Sequence, residues 1–211
     1  MKIILTENQL KTIINEQVYK SKTIINVDIQ PEYQSYITFD IKKWVKFINN
    51  NYKNNTIIFL YNGEYSLGMI SENEYINWLY ELGIKENILN NSIFYDKGYA
   101  FFRYCIDNSI NEKHIINLIQ YLINNNINDT RELEEHNWDD FMETYNIDDN
   151  EIRDLLEYSD DMLNIPDLMD FLTKYNNIVL VGGGINECLK EVELALYALN
   201  KNFNILNQYT Y

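Results

Sequence analysis

The sequence predicts an α/β fold: a mostly parallel sheet with helices on both faces, plus a helical segment. Three observations lead there. Short apolar segments, at Thr23–Val27, Thr56–Tyr61, Ser92–Tyr95, Ile178–Val181 and Phe203–Asn207, have the length of strands buried on both faces. Stretches with helical spacing separate them, which is the alternation that makes parallel sheets. With 211 residues, 46% of them hydrophobic, the chain can bury one sizeable core, so one domain is expected.

The elements follow in order. Residues 1–20 form a separate leader. Thr6 and Gln9 make a capping box, and Leu5 and Leu10 the matching hydrophobic staple. Leu10, Ile13, Ile14 and Val18 then give an amphipathic helix from Glu7 to about Tyr19, which must dock on this domain or on a partner. The phrase Leu5-Thr6-Glu7-Asn8-Gln9-Leu10 resembles a short leader of assorted tailed-phage proteins. The α/β domain occupies 21–211. After the first strand, ending at Asp28, come a helix at Ile41–Ile48, the second strand, a helix at Ile76–Leu82 and the third strand, ending at Lys97. Residues 111–174 read as wholly helical, with acidic stretches at Glu132–Asp140 and Asp148–Asp161. The fourth strand enters Gly182-Gly183-Gly184 and a helix from Glu187 to about Leu199, capped by Asn186. In a chain with seven glycines, three in a row require a backbone reason.

Composition excludes several classes. Against 32 Asp+Glu stand 17 Lys+Arg, a formal charge of −15, which argues against nucleic acid or anionic membrane as partner. Two cysteines and two histidines make neither a disulfide framework nor a zinc or His-rich metal centre, and no D-x-D-x-D-G loop for calcium occurs. No metal and no cofactor is expected. The longest apolar runs are too short to cross a bilayer, and polar residues interrupt the N-terminus too early for a signal peptide. The expectation is a soluble cytoplasmic protein.

In an open parallel sheet, ligands bind beyond the carboxyl ends of the strands. Those ends carry Asp28, Asn62 to Glu64, Lys97 and the Gly182–Cys188 turn: an acid, a base and a thiol. Cys188 lies in the first turn of its helix, where backbone N–H groups and the helix dipole favour a thiolate and can hold an oxyanion. Lys97 can stabilise negative charge, and Asp28 can take the thiol proton. Singly, each also has a plain structural explanation: a cap, a solvated lysine, a small core residue.

Val27-Asp28-Ile29-Gln30, with Tyr33 downstream, resembles the first-strand motif of the isochorismatase-like cysteine hydrolases. Lys97-Gly98-Tyr99-Ala100-Phe101-Phe102 is similar to their lysine motif. Gly182 to Cys188, with Ala195, Ala198, Leu199 and the strand at Phe203, resembles their nucleophile turn and following helix. The resemblance implies a Rossmann-like three-layer sandwich and a catalytic triad of Asp28, Lys97 and Cys188. It also implies a cis peptide at Gly183–Gly184 and an oxyanion and substrate turn of Gly183, Gly184, Asn186 and Glu187. Tyr99 and Phe101 become pocket candidates. Ile185 stands where the family has Thr or Ser, and the Asp/His metal cluster of the nicotinamidase branch has no counterpart. The interval from Lys97 to Cys188 is long for the family. About 111–162 therefore reads as an insertion, an arm or lid whose apolar positions (Ile115, Leu118, Ile119, Leu122, Leu155, Leu156, Met162) cannot all face water. Such a segment suits subunit contact in a homo-oligomer.

Two functions from different classes follow. One is a metal-independent cysteine hydrolase of a small amide or related C–N substrate. The other is a non-catalytic binding or virion-associated phage protein that keeps the fold. A third, nucleotide binding, rests on the glycines alone, which lack the third Gly of the dinucleotide turn. His114, His136 and Cys105 read as surface or packing residues, and Trp138, Phe141 and Tyr145 as core or subunit contacts.

Overall fold

The computed structural model describes residues 21–63, 69–97, 110–127, 133–148 and 165–211. The leader helix, Glu64, Tyr99, Phe101, Cys105, Leu155, Leu156 and Met162 lie outside the described residues.

Five strands form one sheet: β1 (Thr23–Val27), β2 (Thr56–Tyr61), β3 (Ile93–Asp96), β4 (Ile178–Gly182) and β5 (Phe203–Ile205). Their order is β3-β2-β1-β4-β5, and every pairing is parallel. The fold is thus a Rossmann-like α/β sandwich. Period-two alternation assigns side chains to its faces. Ile25, Val27, Ile58, Leu60, Ile178 and Leu180 enter one core cluster. Ile24, Ile57, Phe59, Tyr61, Val179 and Val181 enter the other.

The second cluster is closed by α1 (Ile41–Asn51), α2 (Glu72–Glu81) and the short α3 (Glu86–Leu89). Asp40 caps α1, accepting from the amides of Lys42 and Lys43 at 3.0 and 3.3 Å. Helix α2 begins four residues earlier than its apolar stripe suggests, because Ser71 and Glu74 form a capping box.

The first cluster is closed by α4 (Glu112–Asn124), α5 (Glu135–Tyr145), α6 (Ile165–Thr173) and α7 (Cys188–Ala198). Where 111–162 is described, its helices pack onto the sheet rather than standing off it as an arm. Ile115, Leu118, Ile119 and Leu122 of α4 are buried in the same cluster as the sheet, and Trp138 and Phe141 of α5 extend it. The stripe of α4 covers the sheet beside α7, so its described helices belong to the core. The last strand also ends earlier than expected, at Ile205, because Asn207–Tyr209 turns into a 3₁₀ helix. Among the described residues no helix is long and apolar enough to cross a membrane.

From β1 the chain steps outward through β2 to β3, then returns to place β4 on the other side of β1. The order therefore reverses between β1 and β4, and a crevice at their carboxyl ends is where this architecture places ligands.

Candidate active site

Two rungs of the ladder continue past the strands and fix the first two groups. The Asp28 amide donates to the Leu60 carbonyl at 2.9 Å, and the Lys97 amide donates to the Tyr61 carbonyl at 3.0 Å. Both residues are thereby tied to the carboxyl edge of the sheet. Asp28 is fully buried and left-handed, with φ 47°, a conformation that a short polar side chain tolerates better than most. The Tyr211 hydroxyl donates to its carbonyl at 3.1 Å.

Across the reversal point, Gly182 and Gly183 turn the chain through φ 82° and 67°. A Cβ at Gly182 would collide with the Val27 carbonyl oxygen and the Ile29 side chain, and one at Gly183 would stand 2.9 Å from the Leu189 amide nitrogen. These are the backbone reasons for the glycines: β4 passes too close to β1, and the turn too close to its helix, for any side chain. Every peptide bond among the described residues is trans, Gly183–Gly184 included. The expected cis bond is therefore corrected: the turn reverses through positive φ instead. Tyr211 straps the turn, its amide donating to the Gly183 carbonyl at 3.2 Å and its carbonyl accepting from Ile185 at 2.8 Å. The expected Asn186 cap is corrected too. Glu187 is the N-cap residue, with no side-chain capping bond, and α7 opens on Cys188 itself.

Lys97 reaches over β2 to Asp28. Its Nζ lies 3.1 Å from Asp28 Oδ2 and 2.6 Å from Glu191 Oε2, and all three side chains are at most 3% exposed. Burial by itself pulls the lysine pKa down, but Asp28 and Glu191 outweigh it and hold the ammonium well above the ordinary lysine range. Asn62, which follows β2, donates to Asp28 Oδ2 at 3.3 Å and to the Tyr33 hydroxyl at 3.1 Å. Gln30 holds Asn62 in turn: its Oε1 accepts from the Asn62 amide at 2.9 Å and its Nε2 donates to the Asn62 carbonyl at 3.3 Å. The other carboxylate oxygen, Asp28 Oδ1, is buried without a well-formed hydrogen bond.

Cys188 is a partly buried free thiol that faces this cluster. Burial pushes its pKa up, and Asp28 adds to this through its charge and through hydrogen bonding; Lys97 pulls the other way and Glu191 pushes up again. The net direction is well above the ordinary thiol range. The thiolate expected from a helix start near a cation is thus corrected. Desolvation and two carboxylates outweigh one ammonium, which favours the neutral thiol. A proton passed from Cys188 to Asp28 would leave the charge of the cluster unchanged, which removes the main electrostatic obstacle to ionising it in place.

Asp28, Lys97 and Cys188 are therefore brought together, from the ends of β1 and β3 and the start of α7. Gly183 and Gly184 are buried in the adjoining turn, whereas Ile185, Asn186 and Glu187 are exposed on its outer side. Three amides of the turn are already committed: Ile185 to Tyr211, and Glu187 and Leu189 to the Gly184 carbonyl at 3.0 and 3.1 Å. Sequence reasoning missed Glu191 and Tyr211. Glu191 had a signal, because it sits three residues after Cys188 and so on the same helix face. Tyr211 had none, since its contacts depend on the path of the chain after β5. Among the described residues, no group of three or more His, Cys, Asp or Glu side chains is placed to hold a metal ion. No protein-family model, no curated protein and no solved structure matches this chain.

Proposed function

We propose that the protein is a cysteine hydrolase that needs no metal and acts on a small amide or related C–N substrate, in the manner of the isochorismatase-like hydrolases. The observation that carries this reading is the meeting of an incompletely bonded carboxylate, a buried ammonium and a thiol at the reversal point of the sheet. In the reaction, Cys188 Sγ attacks the carbonyl carbon while its proton passes to Asp28 Oδ1. The C–N bond breaks, and the amine leaves with that proton. Asp28 then deprotonates a water, which attacks the thioester; the acid departs and the thiol regains its proton. Lys97 holds Asp28 in place and offsets the negative charge that develops.

The test is ammonia or amine release from a panel of small amides, with Cys188→Ser as control. Turnover by the wild type and none by the variant is the expected result. A thiol that iodoacetamide never labels in the native protein would overturn the reading. The neutral resting thiol favours a second reading, a non-catalytic binding protein on the same scaffold. That reading predicts slow labelling of Cys188 and no turnover of any amide.

A further inference from the structure

We propose that Tyr33 selects the substrate: its hydroxyl donates to a second oxygen of a small amide. The site then prefers amides with an ether or carbonyl oxygen near the scissile group over their hydrocarbon isosteres. The inference rests on the reading of this crevice as the place where a small amide meets Cys188.

The direction of the Tyr33 proton follows from Asp28. A 3₁₀ turn, Pro31–Tyr33, comes soon after β1, and the Tyr33 amide donates to the Gln30 carbonyl at 3.1 Å. The turn brings the phenol to Asn62, whose Nδ2 lies 3.1 Å from the Tyr33 oxygen and 3.3 Å from Asp28 Oδ2. Oδ2 is paired with the Lys97 ammonium at 3.1 Å, so it accepts, and Asn62 must turn its nitrogen rather than its carbonyl toward it. The same nitrogen then donates to the Tyr33 oxygen, which leaves the phenol to point its own proton elsewhere. That proton goes to Met69 Sδ, with the oxygen 3.5 Å from the sulfur. A thioether is a weak acceptor, and this one is shared with Gln30 Nε2 at 3.8 Å. Burial raises the Tyr33 pKa; Asn62 pulls the other way and Asp28 adds to the rise, so the phenol keeps its proton at neutral pH. Tyr33 is only half-buried. An oxygen is a stronger acceptor than the sulfur, so a ligand that brings one gains by the exchange. A methylene in its place gains nothing and leaves the sulfur contact as it was.

Methoxyacetamide and butyramide are uncharged and isosteric, and differ by one ether oxygen against one methylene. Each is titrated as a protectant of native Cys188 against iodoacetamide, in the wild type and in Tyr33→Phe. The quantity read is the half-protecting concentration of butyramide divided by that of methoxyacetamide. Comparing this ratio between the two proteins cancels the different hydration of the amides. It is expected to be roughly threefold to tenfold higher in the wild type. Equal ratios, with protection retained, overturn the inference and leave the nucleophile reading standing. The expected ratios without turnover of any amide support the inference as a ligand preference and overturn the hydrolase. Should Tyr33→Phe not fold, Met69→Leu decides, because it keeps the hydroxyl and removes the competing sulfur. The ratio must then rise above the wild-type one; an unchanged or lowered ratio overturns the inference. If neither amide protects Cys188, or iodoacetamide labels it only in urea, the nucleophile reading and this inference fail together.

Discussion

Two buried polar side chains two residues apart, one within β1 and one just past its end, solve the same problem differently. Asn26, in the middle of β1, is neutral and bonded on both sides: its Nδ2 donates to the Ile58 carbonyl at 2.9 Å and its Oδ1 accepts from Trp44 Nε1 at 3.0 Å. Asp28, just past the strand, is paired with the Lys97 ammonium at 3.1 Å. It shares its ammonium with Glu191 and keeps one oxygen without a well-formed bond. Neither side chain is exposed. Polar burial that serves packing is bonded throughout, because an unmade bond in a low dielectric costs stability. Polar burial that serves chemistry leaves an atom for something else to meet. The comparison therefore locates the candidate site without any reference to the thiol.

The largest expected effect is on the charged side. Lys97→Met removes the cation and leaves Asp28 and Glu191 facing each other in the interior. Breaking a buried pair in this way costs about 3–5 kcal/mol, read by urea denaturation at pH 7. Adding Glu191→Gln to Lys97→Met should recover a large part of the loss, since only one uncompensated carboxylate remains. Equal stability of the single and double variants would show that Glu191 and Lys97 are not energetically coupled.

On the neutral side, Asn26→Ala leaves the Ile58 carbonyl and the Trp44 indole N–H without their partners. The expected cost is about 1–3 kcal/mol. Because that network lies on the far side of β1 from α7, iodoacetamide labelling of Cys188 in the folded variant should match the wild type. A changed labelling rate would break the comparison, making Asn26 part of the site.

Most of the fold was legible because its strands are short apolar runs, and β1 and β2 fall where their side chains say. The parallel order follows from the intervening helices. The packing of α4 was less legible: the long interval from Lys97 to Cys188 sets its segment apart in sequence, whereas the spacing of Ile115, Leu118, Ile119 and Leu122 is that of any sheet-covering helix. Asp28, Lys97 and Cys188 could be selected because strand ends and a helix start are visible in sequence. Their charge state could not. It depends on Glu191 and on burial, and both are properties of packing rather than of spacing.

Alkaline pH separates the two polar systems next. The folded pKa values of Cys188 and Lys97 lie above their unfolded ones, so over the window between them the native state holds more protons than the unfolded state. Stability from these groups is fully present below the unfolded values and is lost as pH rises. The thiol acts first, above about pH 9, and the lysine only above about 10.5. Each group contributes a slope of about 1.4 kcal/mol per pH unit. Cys188→Ala should flatten the decline between about pH 9 and 10, whereas Asn26→Ala, with no titrating group, should lower the whole curve and keep its slope. An unflattened decline in Cys188→Ala would mean that the thiol ionises normally in the folded protein.

The smallest effect tests where the charged system ends. The Tyr211 hydroxyl bonds the backbone carbonyl of Asp28, not its carboxylate. Tyr211→Phe keeps the ring and the backbone bonds to Gly183 and Ile185 but leaves that carbonyl without this donor. The expected loss is about 1 kcal/mol, the net worth of one such bond. The charges facing Cys188 do not change, so the pH profile of its labelling by iodoacetamide should keep its shape and stay within about twofold of the wild type. A tenfold change in labelling at unchanged stability would instead mean that the hydroxyl sets the left-handed turn at Asp28, and through it the position of the carboxylate. Tyr211 would then act on the thiol through Asp28, and the boundary between the bonded and the open polar systems would have to be drawn one residue further out.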